Sequence, residues 1–306
     1  MLIIISLIAS LLPASLYLYF IWKTDKNEPE PVSFIFFHFI WGAVGAVIVG
    51  AAGSYFITTA FGNSIFPDLL EAVVSAPVAE EFAKGLFLLF SFRSMKFDNI
   101  TDGLVYGGAI GLGFGMTENF IYFITYEGLV KYWVVLVVIR SSFTIIMHMI
   151  STSVVGAMLG MAKFSEGVSK IYLIFGGYFT AVLFHGAWNF SVSFMETFYF
   201  GLIFIIALTI FFVMFFRYSL AKEQLILQKE LFEEDIPNEH KLILVSNKRF
   251  KRGWIDESIR KLYIKTAIGL AFNKHQYKIS RGNLKDFYAS EIERKRSIIK
   301  NIIGKI

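Results

Sequence analysis

Among its 306 residues the chain has no cysteine, so no disulfide framework, thiolate metal site or cysteine nucleophile can operate in it. It also lacks an evident Ser–His–Asp set. No internal repeat is visible, whereas repeats are the usual mark of secondary transporters. The N-terminal run MLIIISLIASLLPASLYLYFIW has neither a basic start nor a small-residue cleavage site. At about 20 residues it is long enough to span a bilayer, and it reads as a retained helix. What the chain does have is apolar side chains: 56% hydrophobic residues, 34 Phe and a mean hydropathy of +0.60. A soluble domain of this length does not read that way; a polytopic membrane protein does.

The formal charge of +5 is unevenly split. Residues 1–216 hold 9 Lys/Arg and 13 Asp/Glu, whereas residues 217–306 hold 20 and 11. The expected architecture is an all-α membrane bundle, residues 1–217, followed by a small, basic and mainly helical domain, residues 218–306. Apolar runs place about seven spans near 2–22, 33–60, 69–93, 102–126, 132–162, 171–195 and 197–217. The fifth is too long for an untilted crossing and should tilt, bend or lie partly outside the membrane. Loops after the first, third and fifth spans carry Lys23, Lys26, Arg93, Lys96, Lys163 and Lys170, against Lys131 alone on the other side. By the positive-inside rule the N-terminus is outside and the C-terminus is cytoplasmic.

In the basic region, YSLAKEQLILQKELFEED continues the last span as a helix, and HKLILVS reads as a short strand. Ile255, Ile259, Leu262, Tyr263 and Leu270 have helical spacing, and Asn283 is a plausible cap for a final amphipathic helix. His240 and His275 stand alone and read as surface residues. The basic face suits contact with the anionic inner leaflet; a solvated charged face suits it as well. Nothing points to nucleic acid.

Four polar clusters lie inside the apolar spans, where ionisable residues usually mark function. In EEFAK, either Glu80 or Glu81 can pair with Lys84, at i,i+4 and i,i+3. The two carboxylates are about 100° apart around a helix, so one can face a site while the other is held by the cation. In DGLVYGGAIGLGFGMTENFIYF, Gly103, Gly107, Gly111 and Gly115 form a small-residue stripe that admits another backbone, with Glu118 and Tyr122 beyond it. In RSSFTIIMHMISTS, Arg140, Thr144, His148 and Thr152 are each four apart, with Arg140 a candidate counter-ion. In FHGAWNFS, His185 and Asn189 share a face.

At 1.5 Å per residue, Glu80, Glu81, Glu118 and His185 come out roughly 12–15 Å below the outer ends of their spans, and His148 about 24 Å unless its helix bends. A glutamate beside a histidine can activate water and return a proton to a leaving amine. Asn189, Arg140 or a second histidine could stabilise an oxyanion. The same glutamates and histidines, Glu80, Glu118, His148 and His185, could instead ligate zinc, or relay protons in a transporter.

In order and spacing, EEFAK, DGLVYGGAIGLGFGMTENFIY, the histidine of MHMISTS and FHGAWNF resemble the motifs of PrsW-type intramembrane proteases. These are relatives of type II CAAX prenyl proteases and bacteriocin-processing enzymes. The resemblance covers about residues 70–195. It implies a bacterial cell-membrane endopeptidase in which Glu80, Glu81, Glu118, His148, His185 and Asn189 are catalytic, supported by Lys84 and Phe114; Tyr122 and Arg140 are supporting candidates from their helix faces alone. It further implies cleavage of a single-pass membrane protein, typically an anti-sigma factor, on its extracytoplasmic side. Glutamate-activated water needs no cofactor, and metal-dependent hydrolysis would take zinc. Two departures stand out: Glu118 occupies the place of a CAAX-protease histidine, and Lys84 that of an arginine at different spacing. A non-catalytic scaffold, as in a secretase subunit of the same superfamily, is the alternative from another class, and a proton-coupled transporter comes third.

Overall fold

A computed structural model describes residues 2–60 and 67–304. Among these residues the chain is helical throughout, without strands. Contacts divide it into two compact units, residues 1–24 with 30–216, and residues 25–29 with 217–306.

The first unit contains α1 (Leu2–Thr24), α2 (Val32–Ala60), α4 (Ile100–Ile124), α5 (Val130–Ala162) and α6 (Gly167–Ser193). Between α2 and α4 lies α3, in which Pro67–Leu70, Glu71–Ser75 and Ala76–Ser91 run on without a break. The last helix, α7 (Met195–Phe232), begins here and continues into the second unit. Five of these helices are long and apolar enough to cross a membrane: α1, α2, α5, α6 and α7. Helices α3 and α4, counted as spans from the sequence, fall short of that apolarity for a structural reason. Residues 101–115 of α4 are all buried by protein, so they need no lipid-facing side chains, and α3 carries the charged cluster.

The glycine stripe explains how α4 is enclosed. A Cβ at Gly103, Gly107 or Gly111 would meet the carbonyl oxygens of Gly156, Thr152 or His148 on α5. On another side, a Cβ at Gly113 would meet the Phe39 carbonyl of α2. Without side chains at these positions the three backbones pack at van der Waals contact. Capping is also firm: Asn99 accepts from the Asp102 N–H while Asp102 accepts in return, a reciprocal capping box.

Three helices are interrupted by π-helical turns, at Trp41–Ala46 in α2, Glu71–Ser75 in α3 and Arg140–Thr144 in α5. The long fifth span, expected to tilt, bend or lie partly outside the membrane, carries a wide turn at Arg140–Thr144, a local irregularity that needs no proline. The turn also breaks the strict four-residue spacing of the stripe from Arg140 to Thr152.

The second unit packs the end of α7 with α8 (Asn238–Leu244), α9 (Glu257–Ile279) and α10 (Gly282–Ile303). Leu231, Leu244, Tyr263, Leu270 and Ile299 lie in its core. The expected strand at HKLILVS is the helix α8: Pro237 starts it, and Lys241 and Leu244, one turn apart, are buried. Leu262 is exposed although Tyr263 beside it is buried. Helix α10 starts at Gly282 with Arg281 as its cap, so Asn283 is already inside the helix. His240 is half-buried against Trp254 and Tyr263 rather than on the surface. Residues 25–29 join this unit through buried Arg249, which donates to the Lys26 carbonyl at 2.8 Å.

Candidate active site

Glu80, Glu81 and Lys84 project from α3, Glu118 and Phe114 from α4, Arg140 and His148 from α5, and His185 from α6. The structure brings all of them into one cluster. Glu81 is fully buried and saturated. Its Oε1 accepts from Lys84 Nζ at 2.8 Å and from His185 Nδ1 at 3.0 Å, and its Oε2 accepts from Thr152 Oγ1 at 3.3 Å. Glu80, about a third of a turn away, is the reverse case. Its Oε2 is buried without a hydrogen bond, 3.8 Å from Lys84 Nζ and 3.8 Å from His185 Nε2. One carboxylate is held and the other is left aimed into the cluster, as the helical offset allows.

The histidines meet at right angles, with ring centroids 4.8 Å apart. His185 gives its Nδ1 proton to Glu81, which leaves Nε2 with a lone pair toward Glu80. A carboxylate that fixes the tautomer in this way is the usual support of a metal-binding histidine. His148 lies between Lys84, 3.1 Å from Nδ1, and Glu118 Oε2, 2.7 Å from Nε2. An ammonium can only donate, so Nδ1 accepts and the Nε2 proton goes to Glu118. Glu118 Oε2 also accepts from Arg140 Nη2 at 2.7 Å. The Arg140 guanidinium stacks 3.7 Å over the Tyr122 ring, and Lys84 Nζ lies 3.8 Å over Phe114.

His148 reaches the cluster despite the depth counted from the sequence. Counting began at the apparent start of the span, but Val130–Ile139, the first part of α5, buries no residue, and the wide turn follows before His148. Asn189 is the one candidate not joined to the charged groups. It lies a turn beyond His185 and donates to the Ala72 carbonyl of α3 at 2.8 Å. Asn119 was not singled out from the sequence. It is fully buried and accepts from Arg140 Nε at 2.9 Å, and its place beside Glu118 in TENF was the available signal.

Glu80, His148 and His185 offer ligand atoms that all lie within 4.8 Å of one another. Two histidines and a carboxylate, with a fourth position open, are the donor set of many catalytic zinc sites. The unbonded Glu80 oxygen and the free His185 Nε2 fit such an ion. Glu118 stands beside this group rather than in it and accepts from His148 Nε2; for that nitrogen to bind a cation, the imidazole must take its other tautomer, with the proton on Nδ1 and Lys84 no longer donating there.

The PrsW family intramembrane metalloprotease profile matches residues 30–217. Protease PrsW of Oceanobacillus iheyensis is 32% identical over 192 residues, covering 62% of this chain and 84% of the relative. Protease PrsW of Geobacillus kaustophilus is 28% identical over 182 residues, 59% and 76% of the two chains. Protease PrsW of Bacillus subtilis is 27% identical over 188 residues, 60% and 81%. No solved structure matches.

Proposed function

Because the chain belongs to the PrsW family of intramembrane metalloproteases, we propose that it hydrolyses a peptide bond of a single-pass membrane protein, with Glu80, His148 and His185 holding a zinc ion. The observation that carries this reading is the convergence of three donors from three helices, one of them a buried carboxylate oxygen without a partner. Zinc bound there would supply Lewis-acid polarisation.

The surrounding residues have separable tasks. Glu118 takes a proton from the attacking water and delivers it to the amide nitrogen as the C–N bond breaks. Arg140 orients Glu118 and offers positive charge to the developing oxyanion. Glu81 fixes the His185 tautomer, and Lys84 balances the charge of Glu81. Together these groups move one proton from water to the leaving amine without releasing it.

The distribution of basic residues along the loops supports seven spans, an outside N-terminus and a cytoplasmic C-terminus, with the cleavage site in the outer half of the bilayer. An anti-sigma factor is the proposed substrate class. A second reading has one observation in its favour: while Lys84 bonds His148 Nδ1, the His148 Nε2 proton leaves no lone pair for a metal. In that case Glu80 is the base and no metal is needed. A scaffold would tolerate loss of motif residues, and here they are all present. Co-expression with candidate single-pass membrane proteins, scored by cleavage with and without a chelator, separates the readings. Cleavage abolished by chelation and restored by zinc supports the metal, and cleavage that resists chelation supports Glu80. No cleavage of any candidate by a well-inserted chain counts against the proposed substrate class.

A further inference from the structure

A π-helical turn has a cost that the cluster does not explain. Where an amide bonds five residues back instead of four, one carbonyl is passed over, and inside a membrane no water is available to satisfy it. In α3 the Ala76 N–H bonds to the Glu71 carbonyl, which passes over Ala72. Asn189 Nδ2 from α6 donates to that Ala72 oxygen at 2.8 Å. In α5 the Ile145 N–H bonds to the Arg140 carbonyl, which passes over Ser141. The Tyr17 hydroxyl from α1 donates to the Ser141 oxygen at 3.3 Å. In α2 the Val47 N–H that ends the wide turn bonds three residues back, to the Val44 carbonyl, and so also leaves the Ala43 carbonyl four residues back without it. Thr117 Oγ1 from α4 donates to the Ala43 oxygen at 2.8 Å.

Each wide turn adjoins the site. The α3 turn ends just ahead of Glu80. The α5 turn begins with Arg140, the partner of Glu118. The α2 turn carries Ala46, packed with Ala83 and Phe114, and Trp41, whose Nε1 donates to the Ala83 carbonyl at 3.1 Å. Three passed-over carbonyls, each met by a side chain from a different neighbouring helix, form a consistent pattern.

We propose that Asn189, Tyr17 and Thr117 are positioning residues that latch three wide turns around the site, so that Asn189 acts on the backbone ahead of Glu80 and not on the scissile bond. This rests on the site described under the proposed function, but its first test does not. Deleting Val74 together with Pro77→Ala removes the extra residue of the α3 turn and places a backbone N–H four residues after Ala72, which Pro77 itself cannot supply. Asn189→Leu in the full chain should lower the thermal midpoint, and the same change in the Val74-deleted, Pro77→Ala background should add nothing. An equal loss in both backgrounds, or none in the parent, overturns the latch.

The second test reads Zn2+ affinity of the full chain in nanodiscs by chelator competition, and it decides if the deletion fails to fold. Asn189→Asp, Tyr17→Phe and Thr117→Val should each weaken zinc roughly tenfold, the effect of losing an outer support of a metal site. Trp22→Phe removes a bond of the same kind outside the cluster, Trp22 Nε1 to the Glu30 carbonyl at 3.1 Å, and should leave zinc affinity unchanged. Unchanged affinity in all three latch variants, or an equal loss in Trp22→Phe, overturns the proposal. If the parent binds no zinc, the metal reading fails and the thermal cycle alone decides the latch, with Tyr17→Phe and Thr117→Val required to lower the midpoint.

Discussion

Glu80 and Glu81 are adjacent in sequence and opposite in circumstance. Glu81 is saturated by Lys84, His185 and Thr152, whereas Glu80 Oε2 has no hydrogen bond. Glu80→Gln should therefore abolish cleavage of a proven substrate with little loss of folded protein, measured by yield and thermal midpoint. Glu81→Gln should do both kinds of harm. Breaking a buried ion pair costs about 3–5 kcal/mol, and the same change frees the His185 tautomer, so the midpoint should fall along with activity. Full activity in both variants would make the carboxylates structural. Arg140 and Asn119 extend the same logic. Arg140→Gln removes the counter-ion of Glu118, and the expected result is lower kcat with the fold intact. The charged residues were legible from the sequence because charge at bilayer depth is rare. Asn119 was not, because an uncharged amide beside a glutamate carries no comparable signal.

At the scale of elements, the seam between α4 and α5 fixes the height at which Glu118 meets His148. Gly107→Ala would press a Cβ into the Thr152 backbone, and overpacking of this kind costs about 1–3 kcal/mol or more. At Gly85 a Cβ would meet only Val155 Cγ1 at 3.9 Å, an ordinary contact. Gly85→Ala should be neutral or stabilising, since alanine is favoured over glycine in a helix by about 1 kcal/mol. Thermal midpoints of the two variants check the contrast, and equal effects would contradict the seam. The glycine stripe was readable because its period is helical. The π-helical turns were not, because nothing in the residues Glu71–Ser75 or Arg140–Thr144 forbids an α-helix; what permits the wide turn is the donor on a neighbouring helix. The same limit explains the strand expected at HKLILVS, where a short apolar run does not distinguish strand from buried helix.

At the scale of the whole molecule, the bundle and the basic region are separable in composition, and the second unit has its own core around Leu231, Tyr263 and Leu270. Truncation after Glu223 should leave a chain that inserts and retains its metal site, checked by membrane fractionation and zinc content. Reporter fusions after Lys96 and Lys170 should both read cytoplasmic, and an outside reading at Lys96 would overturn the outer-half placement of the site. What the sequence did not disclose is that residues 25–29 belong with the second unit. Arg249 and Asn27 make that link through backbone carbonyls of Lys26 and Leu220, which have no signature in residue type.

The account turns on the ion held by Glu80, His148 and His185, and zinc binding to the purified full chain tests it most directly. The parent should bind about one Zn2+ per chain, and Glu80→Gln, His148→Ala and His185→Ala should each lose it while remaining folded. A folded parent that cleaves its substrate with no metal bound would contradict the claim.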